Sequence, residues 1–137
     1  MNSSICNKLH FTGLLLAVSI NAIATESSVP PNLFADGENA ERCVSMMRID
    51  RTKIVDDQNI LFYMHGDKVY LNHLQYSCPT LKMNDVFMTS TSLNELCNVD
   101  IITVLERLGF GFNRGASCGL GLFYPIDEAT ANELGKK

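Results

Sequence analysis

The chain has 137 residues, with 11 basic against 15 acidic side chains and a net charge of −4. That length is enough for one domain. The acidic balance excludes the basic footprint that nucleic-acid binding needs and gives no reason to expect adhesion to anionic membrane surfaces.

Residues 1–24 read as a secretory signal peptide. Lys8 supplies the positive start, Phe11 to Ala24 is uncharged and mostly apolar, and Ala22-Ile23-Ala24 fits the small-x-small cleavage pattern, so Thr25 is the expected mature N-terminus. The apolar run is too short to span a bilayer, so no stable membrane span is expected after cleavage. Cys6 precedes the run and leaves with it. The five cysteines of the chain thus become four, Cys43, Cys78, Cys97 and Cys118. An even number in a small exported domain reads as two disulfides. Their spacing contains no C-x-x-C knuckle, so a zinc site is not expected.

Residues 25–42 are polar, carry Pro30-Pro31 and show no apolar periodicity. They read as a flexible leader whose last part docks on the domain. The folded unit is expected over 43–126. Val44, Met46 and Ile49 fit a first strand with a change of register near Met47. Lys53-Ile54-Val55 fits a second, closed by a turn at Asp56-Asp57-Gln58-Asn59.

Ile60 to Cys78 reads as a β-hairpin about Gly66-Asp67. A two-residue loop there pairs Met64 with Val69, Phe62 with Leu71, Ile60 with His73 and Tyr63 with Tyr70. Ile60, Phe62, Met64, Val69 and Leu71 then form a core face, with the two tyrosines on the other. Pro79 is expected to stop the second strand after Cys78.

Val86 to Thr89 is a short strand candidate. Ser90-Thr91-Ser92, with Glu95 three residues after Ser92, has capping-box spacing and predicts one helical turn ending at Cys97. Residues 101–108 fit either a helical stripe or a β-branched strand, and the strand is preferred through about Leu105. Gly109 to Gly115 reads as a loop or loose hairpin. Cys118 to Ile126 reads as a closing strand kinked at Gly119 and Gly121, and 127–137 as a polar tail with room for a short helix. The fold class expected is mainly β, or α+β: a small antiparallel sheet, curled or partly closed into a barrel, with one or two short helical turns.

In order, the chain carries Cys43, Ile54-Val55-Asp56-Asp57, Ile60-Leu61-Phe62, Gly66, Tyr70-Leu71-Asn72, Leu74, Cys78-Pro79 and Leu81. It continues with Leu96-Cys97, Asp100-Ile101, Cys118-Gly119-Leu120-Gly121, Phe123 and Pro125-Ile126. This ordered string resembles a family of small exported bacterial proteins defined as a domain of unknown function. The resemblance implies export and a compact domain with paired cysteines. It implies no activity, substrate or catalytic residue. Glu106-Arg107-Leu108 departs from the family pattern with a helix-like stretch.

Motifs that resemble catalytic or binding signatures lack their contexts. Gly115-Ala116-Ser117-Cys118-Gly119 matches G-x-S-x-G, but no His follows His73 and Cys118 is expected in a disulfide. Gly109-Phe110-Gly111 with Gly115 is one residue too long for a dinucleotide loop. Phe110 and Phe112 either plug the core or offer an apolar loop to a partner. His65 and His73 sit at opposite ends of the hairpin and cannot share a metal; His73 reads as a half-buried, hydrogen-bonded residue. Asp56 and Asp57 read as turn formers, Asp100 as a loop brace, and Asp85 completes the carboxylates.

No cofactor is called for and no catalytic residue stands out. The leading expectation is a periplasmic or secreted, non-enzymatic binding or structural module of the cell envelope, its partner an envelope protein or a small ligand. The alternatives are a small periplasmic hydrolase using His73 and a carboxylate, and a secreted protein inhibitor. Three disulfide connectivities are open; the position of the cysteines at strand margins favours Cys78 with Cys97 and Cys43 with Cys118.

Overall fold

The computed structural model describes residues 29–34 and 37–136; the expected signal peptide, 1–24, lies outside them. Among these residues the strands are β1 (Cys43–Ser45), β2 (Ile49–Ile54), β3 (Asn59–Met64), β4 (Val69–His73), β5 (Phe87–Thr89), β6 (Glu95–Cys97), β7 (Ile101–Leu108), β8 (Gly111–Gly119) and β9 (Phe123–Ile126). The α-helices are α1 (Leu81–Asn84) and α2 (Glu128–Gly135). The strands form three antiparallel sheets: β2-β3-β4-β9, β5-β7-β8 and the ribbon β1-β6. The mainly β antiparallel class expected from the sequence is the one observed. The sheets are not closed into a barrel.

β3 is the centre. Its run Ile60-Leu61-Phe62-Tyr63-Met64 is apolar throughout because both of its faces are covered. On one side Ile60, Phe62, Met64 and Tyr70 join Val44, Leu96, Ile102, Val104, Leu120 and Phe123 in the main core. On the other, Leu61, Val69 and Leu71 pack beneath Val29, Ala131 and Leu134. The second layer is thus made by residues 29–34 and α2. Ala131 and Leu134, three apart, fall on one helix face. Asp127 caps α2, accepting from the Thr130 N–H at 2.8 Å and the Thr130 hydroxyl at 2.7 Å. These bonds hold its carboxyl below the usual range.

Burial on both faces also explains a register error. The hairpin is present, but Phe62 faces Tyr70, Leu61 faces Leu71 and Ile60 faces Asn72, one residue from the pairing expected above. The Met64 N–H donates to Lys68 O at 2.9 Å, making a three-residue loop of His65, Gly66 and Asp67. Gly66 (φ 92°) and Asp67 (φ 61°) both occupy positive φ, which glycine tolerates freely and Asp more readily than most residues. Tyr63 and Tyr70 therefore lie on opposite faces.

Four further expectations are corrected. β4 stops at His73, and Pro79 precedes α1 rather than closing a strand. The Ser92 capping turn is absent: Glu95 and Leu96 pair with Ser45 and Val44 in the β1-β6 ribbon, and the ladder's backbone bonds displace the helical ones. The stretch from Cys118 to Ile126 is not one strand, since β8 ends at Gly119 and β9 begins at Phe123 in a different sheet. The disulfides are Cys43–Cys97 and Cys78–Cys118, not the favoured pairing. Cys97 lies on β6 directly opposite Cys43 on β1, whereas joining Cys43 to Cys118 would require β1 beside β8, and those strands lie in different sheets. Residues 101–108 are strand, as preferred, and 109–115 belong to the hairpin joining β7 to β8.

Candidate functional site

His73 is the residue the enzyme alternative relied on. Register places it at the end of β4 opposite Asn59. Asn59 is fully buried and its amide donates to both Asp56 carboxylate oxygens, at 2.8 and 3.0 Å. Asn59 Oδ1 lies 2.8 Å from His73 Nδ1, and Gln58 Nε2 lies 3.3 Å from His73 Nε2. An amide oxygen only accepts and an amide nitrogen only donates, so the proton sits on Nδ1 and Nε2 accepts from Gln58. Phe34 lies against the ring at a centroid distance of 4.3 Å and meets Tyr124 edge-on at 5.2 Å. Desolvation lowers the His73 pKa below its ordinary 6.5, and the Asp56 charge opposes this weakly. Both ring nitrogens are engaged, and the carboxylate is reached only through Asn59. The cluster ties the β2–β3 turn to the end of β4 and leaves no ring nitrogen to move a proton on a substrate.

The other singled-out residues are also structural. Asp57 Oδ1 accepts the Lys82 N–H at 2.7 Å, at the start of α1. Asp100 accepts the Cys97 N–H at 2.6 Å, as a loop brace would. Ser117 lies on β8 with its hydroxyl 3.0 Å from that of Thr103, and its neighbour Cys118 is in a disulfide. The glycine-rich stretch is the β7-β8 turn at Gly109-Phe110 followed by the first half of β8. His65 is exposed in the hairpin loop, far from His73. Cys43, Glu95 and Cys97 come within metal-ligand distance of one another, but both sulfurs are consumed in the disulfide. Tyr70, buried on β4, donates to Glu41 Oε1 at 2.5 Å; burial first and that carboxylate second push its pKa up to about 12.

A concave feature lies elsewhere. β2 and β5 are edge strands of different sheets, and a cleft of about 580 Å³ opens between them. Met46, Ile49, Ile54, Phe62, Phe87 and Leu96 supply its apolar lining, with Thr52, Lys53, Asp85 and Thr89 as polar members. Thr52 faces Phe62 across the ladder, which puts its side chain on the cleft side. Strand alternation leaves backbone groups unpaired along both edges. The Val55 N–H donates to Asn59 O and the Leu105 N–H to Val86 O, so the N–H and C=O of Thr52 and of Phe87 point away from their own ladders. Lys82 Nζ donates to Ile54 O at 3.1 Å, fixing α1 to one end of β2. Nothing in the sequence marks this site, because its walls come from two strands about thirty-five residues apart that are not paired to each other.

The fold and the site define a small β domain, tied by two disulfides, with an open cleft between two sheet edges. Among the described residues no helix is long and apolar enough to cross a membrane. Compared with family models, curated proteins and solved structures, the chain matches none.

Proposed function

We propose that this chain is an exported, non-enzymatic binding module of the cell envelope, and that it holds a small ligand with an apolar body in the cleft between β2 and β5. The cleft carries the reading. Its volume falls within the roughly 300–1,000 Å³ typical of small-molecule sites, and its exposed surface is shared about equally between apolar side chains and polar groups. Lys53, Asp85 and the open strand edges offer the hydrogen bonds that would orient the ligand. The enzyme alternative draws no support from His73, whose nitrogens are both taken. Export to the periplasm or beyond is supported by the signal-like residues 1–24 and by two disulfides, which persist in oxidising compartments. Membership of the exported bacterial family that the cysteine string resembles is part of the same proposal.

Thr52→Trp tests the cleft, because its side chain would fill the space without entering the packed core. An apolar fluorescent dye is expected to bind the parent protein, and the variant is expected to bind at least tenfold more weakly with an unchanged unfolding midpoint. Equal dye binding by the two would place the site elsewhere. Export is checked by mass analysis of the fractionated protein, which should begin at Thr25.

A further inference from the structure

The β7-β8 hairpin extends past its sheet partner β5, which pairs β7 only from Ile102 to Val104. Its end carries an unusual set of side chains. Phe110, in the turn, is fully exposed, and Leu108 and Phe112 are more than half exposed. Residues 107–114 contain Arg107 and Arg114 and no acidic residue, in a chain whose net charge is −4. The nearest acid in sequence, Glu106, lies on the opposite face of the ribbon from Arg107, and its carboxylate accepts from the Thr80 hydroxyl at 3.4 Å on the body of the domain.

Register fixes how these groups are arranged. Leu108 faces Gly111, Arg107 faces Phe112, Glu106 faces Asn113 and Leu105 faces Arg114. Arg107, Phe112 and Arg114 therefore share one face, Leu108 takes the other, and Phe110 stands at the end. The Arg107 guanidinium carbon lies 5.8 Å from the Phe112 ring centroid. The apolar groups thus lie on both faces and at the end of the ribbon, with the two arginines set behind the tip and no acid between them. An apolar point with a basic collar is the pattern that suits a bilayer interface with anionic headgroups. Arg107 lies two rungs behind the turn and Arg114 four, or about 7 and 14 Å at ~3.4 Å per residue. Amphipathic elements sink their apolar part about 5–10 Å into the headgroup boundary. At that depth Phe110 and Leu108 leave water, while the arginines reach phosphates on their long stems.

We propose that the tip of the β7-β8 hairpin docks reversibly on a bilayer surface bearing anionic phosphate headgroups, with Phe110, Phe112 and Leu108 entering the interface and Arg107 and Arg114 meeting the phosphates. The overall negative charge does not prevent this, because screening confines charge effects to about 8–10 Å at physiological salt. The docking is independent of the β2-β5 cleft, so either can fail while the other stands.

The chain contains no tryptophan, which makes Phe110→Trp a reporter free of background. The full protein carrying it is mixed with vesicles of phosphatidylcholine alone, or with about one-third phosphatidylglycerol, a composition whose surface attracts basic groups. A blue shift in emission, stronger with the anionic vesicles and weakened by salt, is expected. Arg107→Gln with Arg114→Gln should lower partition into anionic vesicles by roughly fivefold per arginine (~1 kcal/mol each) and leave phosphatidylcholine binding unchanged. Phe112→Ser with Leu108→Ser should lower both. All of these positions are exposed, and each variant is required to keep the parent's unfolding midpoint. The proposal is overturned if neither vesicle shifts the emission, or if the arginine variant partitions like its parent. A shift that tracks protein concentration without vesicles would also overturn it, placing the tip on a second copy of the chain.

Discussion

The side-chain amide of Asn72 and the backbone of Gly121 bind each other reciprocally: Asn72 Nδ2 donates to Gly121 O at 2.7 Å, and the Gly121 N–H donates to Asn72 Oδ1 at 3.0 Å. Asn72 is fully buried on β4, so a side chain continues the β4–β9 pairing where the backbone of residues 120–122 has left the ladder. A buried amide with both ends satisfied specifies one arrangement, and an unmatched one is costly. Gly121 is required by space: a Cβ there would lie 1.7 Å from His73 O. Gly121→Ala is therefore expected to cost more than roughly 4 kcal/mol, in the range reserved for severe steric damage. Asn72→Ala should cost about 1–3 kcal/mol for each of the two backbone groups it strands. Urea unfolding of the two variants measures both.

Non-reducing peptide mapping is expected to recover Cys43 joined to Cys97 and Cys78 joined to Cys118. The bridges span 54 and 40 residues, and loops of that length are each worth about 4 kcal/mol by unfolded-chain entropy. A domain of this size has only ~5–15 kcal/mol in total. Removing either pair as a double serine variant should lower the urea midpoint sharply. Cys78 is fully buried, so its replacement by serine adds a packing loss to the entropic one. A peptide joining Cys78 to Cys97 would contradict the structure.

How far these features were legible in the sequence varies with their physical origin. The strands β3, β4, β5 and β7 could be read because β-branched and aromatic residues cluster between turn formers. β2 was legible only at Lys53 and Ile54, because Asp50 and Arg51 hide its start, and the expected first strand from Val44 to Ile49 is broken by a tight turn at Met46–Arg48. The hairpin register could not, because β3 is apolar on both faces and alternation then favours no pairing over its neighbour. The cysteine pairing depended on β6, a three-residue strand hidden beneath a helix-start pattern. The second core was missed because Val29 and Leu134 lie in segments whose composition is otherwise polar. Asn59 and Asn72 did leave a signal: polar amides at the head of β3 and inside β4, where only bonded groups are tolerated.

Acidification should weaken the fold through His73. Its folded pKa lies below the ordinary 6.5, so in that region the unfolded chain binds the proton first and stability rises with pH. This contribution is fully present above about pH 6.5 and is lost progressively as the pH falls toward the folded value. The added proton would also remove the Nε2 lone pair that accepts from Gln58. His73→Asn should flatten that part of the profile relative to the parent, as read by denaturant midpoints across the range. Parallel profiles for the two proteins would show that His73 is not responsible.

Leu134→Ala should cost about 2–4 kcal/mol, the usual range for truncating a buried leucine. Leu134 is 4% exposed and helps α2 cover Leu61 and Leu71. Thermal unfolding measures the loss. A change within experimental error would mean that α2 is a loose appendage, and the second core would not exist in solution.

The open edge along β2 has a consequence for how the protein behaves when crowded. A strand with unpaired N–H and C=O groups is a template on which another chain's strand can assemble, the first step towards fibrils. The outward part of β2 is Asp50-Arg51-Thr52-Lys53, all exposed. Arg51 lies over the Tyr63 ring, 4.0 Å from its centroid, and meets Asp50 at 3.2 Å. Stacking a second molecule on this edge would bring its charged side chains alongside these and strip water from both sets. The edge can thus stay open without inviting self-assembly, and apolar replacements at Arg51 and Lys53 would turn it into a seed for strand-on-strand association.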